Sequence, residues 1–409
     1  MKKFILFVLS FLCLFSTNAQ LLSFSDSARV SLITCSPGSN AVYERFGHTA
    51  IRIYDPLNNI DIVFNYGIFD FNTDNFILKF IKGETDYKLA VYDFRYFLPE
   101  YIVRNSWVWE QVLNLTDKER QKLIELLLIN YEPENRTYRY NFAFDNCATR
   151  PRDIIKQALN GYLNYTLDSE QKTFREWVGV YVGTDTWLKL GIDMVFGNSA
   201  DVVATRVESM FLPEVLMNEF QATKIVPNKN TNEEIRPLVS RFHVLVEHEG
   251  ENTKKPFLLF TPIVVSILLL LAGIAFLFKR RKFCTVYKIF DTLIFTVFGL
   301  IGVIIFYLDY FSLHPLVNDN VNILWLNPLL FFVGFMQWIK PWRFATFILA
   351  IVVKLCTITA LILYLFGISY FNIVYIPLIL LILIRIGNYI RRRLKKGVRI
   401  GSKELKVKF

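Results

Sequence analysis

The composition of the chain changes abruptly near residue 255, and this change constrains the fold more than any motif. From Pro256 onward Leu, Ile, Phe and Val dominate, in five apolar segments at about 256–278, 287–308, 323–339, 344–366 and 370–390. Each approaches the roughly 20 residues that a membrane-spanning helix needs, and the third is the shortest. Pro262, Pro328 and Pro377 fall in these segments. Kinks there are tolerable, because neighbouring helices can satisfy the carbonyls a proline frees. The expectation is an all-α transmembrane domain of five helices over residues 256–396, with a basic cytoplasmic tail at 397–409.

Basic residues sort the connections between these segments. KRRK at 279–282, KPWR at 340–343 and RRRLKK at 391–396 share one side, whereas DYFSLHPLVNDNVN and GISYFN on the other carry no Lys or Arg. The positive-inside tendency makes the basic side cytoplasmic. An odd number of spans then puts the preceding domain, residues 20–250, outside the cytoplasm, joined by a polar linker at 251–255. The N-terminus agrees: Lys2 and Lys3, an apolar run from Phe4 to Phe15 and the small residues Thr17 and Ala19 read as a cleaved signal peptide over residues 1–19. Cys13 leaves with it. Much of the formal net charge of +10 is therefore anchoring charge at a membrane surface, and no nucleic-acid partner is expected.

The outer domain is long enough to bury its own core. Arg29–Ser36, His48–Asp55, Ile60–Gly67, Tyr87–Phe94 and Trp107–Leu115 read as strands. Thr116, Asp117 and Glu119 open a helix, and Thr149–Leu159 is a second one, with Pro151 in its first turn and Gly161 just past its end. Only Cys35 and Cys147 remain in this domain, too few for a disulfide scaffold. One disulfide between them is the structural alternative.

Cys147 stands where that second helix begins, in YNFAFDNCATRPRD. Unsatisfied N–H groups and the helix dipole favour a thiolate there, and Arg150 and Arg152 should push the same way. A buried, inert cysteine is the competing reading. A thiol nucleophile needs a base, most often histidine. His243 and His248 match no metalloprotease helix spacing and suit a solvated or packed role. His314 lies in the connection after the second span, on the outer side. His48 is the leading candidate, at a strand start after a loop of Pro, Gly and Ser. Asp145 and Asn146 suit helix capping or oxyanion donation. Trp107, Trp109 and Trp325 are candidates for acyl contact, a membrane belt or plain core. The chain calls for no cofactor and no metal.

A histidine at a strand start followed by a cysteine in an NC pair opening a helix resembles the order of circularly permuted papain-like folds, as in lecithin retinol acyltransferase and its relatives. TCSPG, ERFGHTAIRI, NYGIFDF, YNFAFDNCATRPRD and MFLPEVL, with five spans and HPLVNDNVNILWLNP between the second and third, are similar to the Lnb family of bacterial lipoprotein N-acyltransferases. The resemblance implies an α+β permuted papain-like periplasmic domain followed by the five-helix membrane domain, in the inner membrane with the C-terminus cytoplasmic. It implies Cys147 as nucleophile, His48 as general base and Asn65 as the orienting group, with Asp61 the alternative third residue. Arg150, His314 and Asn322 are the expected substrate-binding residues, the last two in an outer connection expected to line the substrate entrance. The implied partners are a phospholipid acyl donor and a diacylated lipoprotein acceptor. A membrane-tethered cysteine peptidase or cell-wall amidase is the first alternative, and a non-enzymatic sensor or scaffold the second.

Overall fold

The computed structural model describes residues 24–38, 41–69, 74–168, 170–228, 234–248, 258–278, 284–396, 398–400 and 403–405. The expected signal peptide, Cys13, the linker at 251–255 and the basic run at 279–282 lie outside these residues.

The β-branched and aromatic runs of the first half become strands: Arg29–Cys35 (β1), His48–Asp55 (β2), Ile60–Ile68 (β3), Asp86–Asp93 (β4), Val108–Leu113 (β5) and Thr137–Arg139 (β6). Four more follow, Gly161–Asn164 (β7), Lys224–Pro227 (β8), Arg236–Pro237 (β9) and Val239–Val246 (β10). Seven of them form one antiparallel sheet in the order β10-β5-β1-β2-β3-β4-β6, and β7-β8-β9 form a small second sheet. All but the first residue of β1 are buried, so both faces of the sheet centre are covered.

The centre of this sheet is forked. Pairing of β2 with β3 runs from Asp55↔Ile60 to Ile51↔Phe64 and stops there. Beyond it β2 stays with β1, down to Cys35↔His48. Meanwhile β3 follows β4, with a bulge between Asn65 and Ile68.

The helices of this half are Phe76–Lys82 (α1), Leu98–Val103 (α2), Asp117–Tyr131 (α3), Thr149–Ala158 (α4), Phe174–Val182 (α5), Trp187–Val195 (α6), Arg206–Ser209 (α7) and Pro213–Ala222 (α8). The Thr116 and Glu119 signal is a capping box that opens α3. Ile154, Ile155 and Ala158 of α4 pack with Ile51, Ile53, Phe64 and Tyr66 of the sheet. Each large side chain buried there stabilises the docking by about 1.5–3 kcal/mol. Gly161 is not the helix stop that the sequence suggested. It begins β7, where a Cβ would collide with the Val226 carbonyl, so close strand approach explains it.

Each apolar segment of the second half contains a helix: Pro262–Phe278 (α9), Cys284–Phe311 (α10), Leu329–Met336 (α11), Arg343–Leu365 (α12) and Tyr375–Lys396 (α13). Two stretches, Thr285–Phe311 and Lys340–Leu365, are long and apolar enough to cross a membrane, while Pro262–Phe278 and Val321–Met336 are apolar but shorter. The third segment is broken: a 3-10 turn at Val321–Leu324 precedes α11, whose eight residues span about 12 Å of a hydrocarbon layer of about 30 Å. The prolines expected to kink spans sit at helix starts. Pro262 opens α9, Pro328 directly precedes α11 and Pro377 lies in the first turn of α13, positions where the missing N–H costs nothing.

Both connections without Lys or Arg pack on the first domain. Asn320 Nδ2 donates to the carbonyls of Met194 and Val195 at 2.9 and 2.8 Å, and Asn322 Nδ2 to those of Asp193 and Met194 at 3.2 Å each. These carbonyls end α6, where no intrahelical partner is available. From the other connection Asn372 Nδ2 donates to Asp193 at 2.7 Å, and Ser369 Oγ to Asn198 at 2.6 Å.

Candidate active site

The fork in the sheet is where the candidate residues meet. His48 opens β2 on one branch and Asn65 lies on the other, with Cys147 in the turn just before α4. His48 Nε2–H donates to Asn65 Oδ1 at 2.6 Å, and Asn65 Nδ2 donates to the Tyr92 hydroxyl at 2.7 Å. With the amide oxygen on Nε2, that nitrogen carries the proton and Nδ1 is left for the Cys147 thiol. The ring stacks on Tyr101, centroids 6.2 Å apart.

Burial opposes a charge on Cys147, but the His48 charge, its hydrogen bond and the Thr49 backbone N–H outweigh it and hold the thiol below its ordinary range. For His48, burial likewise favours the neutral ring, yet Cys147 and the Asn65 hydrogen bond hold the imidazole above its ordinary value. Each group thus favours the charged form of the other, and the two titrate as a coupled pair. The fork explains the Thr49 donor: β2 has left β3 by this point, so that side of the strand faces the cysteine turn. Gly67 completes the fit. Its φ of 98° lies in the left-handed region, and a Cβ there would come within 3.6 Å of Cys147 Cβ and 3.7 Å of His48 Cε1.

The turn that carries Cys147 is held by Asn146. Its Oδ1 accepts the N–H groups of Ala148 and Thr149 at 2.8 and 2.9 Å, and its Nδ2 donates to the carbonyls of Phe142 and Phe211 at 2.6 and 2.9 Å. The two motifs around residues 142 and 211 thus meet at one amide. Two of the N–H groups at the helix start are thus already taken, and the N–H of Cys147 itself points to its sulfur.

The arginines do not act as the sequence suggested. Arg150 donates to both oxygens of Asp145 at 2.6 and 2.8 Å and lies 3.7 Å over the Tyr138 ring, outside the cavity. Arg152 is held by Asp153 at 2.7 Å and the Val207 carbonyl at 2.6 Å. Neighbouring carboxylates neutralise both cations, and the charge that acts on Cys147 is that of His48. Asp61 is paired with Arg52 at 2.7 Å, away from the histidine. Cys35 and Cys147 are both free thiols, so the disulfide alternative is not formed. Cys35 is fully buried, and burial pushes its thiol well up, toward the unreactive form.

Cys147 and His48 line a cavity of about 450 Å³. Its walls are apolar and aromatic, with Phe46, Phe69, Phe76, Phe142, Phe211 and Tyr140 prominent. His314 reaches this cavity from the second half of the chain, with Nε2 bonded to the Phe80 carbonyl at 2.7 Å. Asn322 does not. It is buried among α6 carbonyls, Trp325 and Tyr364, and serves the junction. Trp325 is fully buried beside it, and Trp107 stacks on Trp109, both away from the cavity. The aromatic lining carried no sequence signal of its own, because 16% of the chain is aromatic.

Residues 18–179 match the family model described as the Lnb N-terminal periplasmic domain, and residues 252–397 match that of the Lnb transmembrane domain. Searches of curated proteins and of solved structures returned no match. The first matched stretch contains His48, Asn65 and Cys147, the second His314 and Asn322. With both halves matched in this order, the chain belongs to the Lnb-type family of membrane proteins with a periplasmic N-terminal domain.

Proposed function

We propose that this protein is a cysteine acyltransferase that moves a fatty acyl chain from a phospholipid, through a thioester on Cys147, to the N-terminal amine of a diacylglyceryl lipoprotein. The observation that carries this reading is an activated thiol on the wall of an apolar, aromatic cavity. Such walls suit an acyl chain. A peptidase or cell-wall amidase with the same pair would need polar groups along the cleft to receive a peptide backbone or a sugar, and these walls offer few. A sensor or scaffold would have no use for a thiol held below its ordinary pKa.

In the first half-reaction the Cys147 thiolate attacks the ester carbonyl, and a C–S bond replaces the C–O bond. His48 gives its Nδ1 proton to the departing lysophospholipid oxygen. In the second, the neutral imidazole takes a proton from the incoming amine as nitrogen displaces sulfur, and the thiolate is regenerated. Asn65 keeps Nε2 protonated throughout. The N–H groups of Cys147 and Thr49, aimed at the sulfur, are the donors placed to follow charge onto the carbonyl oxygen. The fold reading that goes with this chemistry is a permuted papain-like domain on residues 20–250, anchored by five spans over 256–396 with the C-terminus cytoplasmic and the domain at the outer face of the inner membrane.

Intact-protein mass spectrometry after incubation with phospholipid and no amine acceptor tests the proposal. The expected result is a fatty-acyl adduct on Cys147 that neutral hydroxylamine removes and a lipoprotein amine discharges. Wild-type lipoprotein N-acylation by Cys147→Ala protein would end it.

A further inference from the structure

The helix α1, FILKFIK, keeps none of its residues buried. Ile77 is 73% exposed and Leu78 58%. A seven-residue helix is not stable alone in water; Phe76 stacks on Phe69, and the second half of the chain closes the other end. Ser312 Oγ donates to the Ile81 carbonyl at 2.8 Å, Leu313 N to that of Lys82 at 2.8 Å and His314 Nε2 to that of Phe80 at 2.7 Å. These three bonds close the C-terminal end of α1, and Gly83 turns the chain away in the left-handed conformation. They come from the residues directly after Phe311, the last residue of α10, which is long and apolar enough to cross a bilayer.

The apolar surface runs on without a break in kind. Phe306, Tyr310, Phe311 and Leu313 are exposed along the end of α10, and Ile77 and Leu78 continue them. Lys79 and Lys82 lie on the same short helix, and among the described residues no carboxylate pairs with either. On its other side α1 gives Phe76 and Phe80 to the cavity that holds Cys147. Of the residues lining that cavity, Val42, Tyr43 and Phe80 are the exposed hydrophobic ones and mark its mouth.

We infer that α1 lies in the outer interface of the lipid bilayer, with Ile77 and Leu78 among the acyl chains and Lys79 and Lys82 at lipid phosphates, so that the cavity mouth opens sideways to the membrane rather than to water. The immersion of α1 stands on exposure, charge and continuity with α10. The use of the mouth by an acyl chain rests on the acyltransferase reading. Apolar burial and attraction of lysines to phosphate favour the same placement.

The test uses the full-length protein in vesicles of phosphatidylethanolamine and phosphatidylglycerol that carry a photoactivatable diazirine in the acyl chain. Peptide mapping is expected to find lipid adducts on residues 74–82 as abundant as those on the exposed face of α10, and several-fold above those on α3. Labelling of α1 no greater than that of α3 would overturn the inference. In a second arm, the Ile77→Ser, Leu78→Ser double variant is expected to raise the apparent KM for bilayer phospholipid about tenfold. Its turnover of a detergent-dispersed short-chain ester should stay at the wild-type value. An unchanged KM in vesicles would remove the entry role. If α1 is labelled while Cys147 never carries a thioester, immersion stands and the acyltransferase reading fails; a thioester with unlabelled α1 does the reverse.

Discussion

Two buried asparagines, Asn65 in the cleft and Asn322 at the junction of the two halves, are alike in burial and in being bonded at both ends of the amide. They differ in what they hold. Asn65 takes the proton-bearing nitrogen of a ring whose other nitrogen faces a thiol, whereas Asn322 ends on backbone carbonyls, an indole and a phenol. A buried amide fixes whatever it touches. It matters to chemistry only when its partner is reactive, and to stability otherwise.

Substitutions can break this contrast, and the largest effect belongs to the reactive pair itself. Cys147→Ser and His48→Ala should each lower acyl transfer by about a thousandfold or more, with the folded state retained, because a nucleophile and its base act as a unit. Lipoprotein acylation measured beside a thermal melt checks this. The pH dependence of Cys147 alkylation comes next. The thiolate fraction rises as pH climbs through the thiol pKa, and this pKa lies below the ordinary value. The wild-type protein should therefore react at lower pH than an ordinary thiol does. Burial opposes the charged thiol while His48 supports it, so His48→Ala should shift the alkylation midpoint upward.

Asn65→Ala should cost about ten- to a hundredfold in turnover, since the imidazole loses the bond that fixes its tautomer while the thiol and ring remain. Asn322→Ala should show the opposite signature. Leaving α6 carbonyls, Trp325 and Tyr364 without their partner should cost about 1–3 kcal/mol in stability, whereas the protein that remains folded turns over within about threefold of wild type. A folded Asn322→Ala protein with a collapsed rate would erase the distinction. The smallest effect is expected for Arg150→Ala. Its pair with Asp145 is a quarter to a third exposed, so loss of the pair and of the Tyr138 contact should cost about 1 kcal/mol or less and leave the rate unchanged.

The parts of this contrast that could be read from the chain were those written locally. The strand segments, the capping box at Thr116 and the position of Cys147 before a helix depend on neighbours in sequence, and they appear in the structure as expected, although β1 and β5 are buried on both faces and do not alternate. His48 and Cys147 were legible as separate types in suitable places, and the fork that joins them was not, because strand pairing is a long-range property. Arg150 and Arg152 show the opposite failure. Their nearness to Cys147 along the chain was real, but Asp145 and Asp153 take them in ion pairs at 2.6 and 2.7 Å and neutralise them. The polar connection at 309–322 was rightly placed beside the outer domain, yet most of its amides end α6, and only His314 reaches the cavity. Helix ends, more than substrate, explain its composition.

Because residues 312–314 terminate α1 and residues 320–322 terminate α6, the outer domain is seated on the bundle and does not swing from a linker. Its height is then a matter of length. The 28 residues of α10 reach about 42 Å, more than the roughly 30 Å of hydrocarbon in a typical bilayer. On the membrane placement proposed above, this helix would act as a ruler that sets the level of the cleft relative to the bilayer. An insertion of one turn near its middle would lift α1 and the cavity mouth by about 5 Å while leaving Cys147, His48 and Asn65 untouched. Membrane thickness would then be a variable of the site, one that bilayers of graded chain length could dial without altering a single residue.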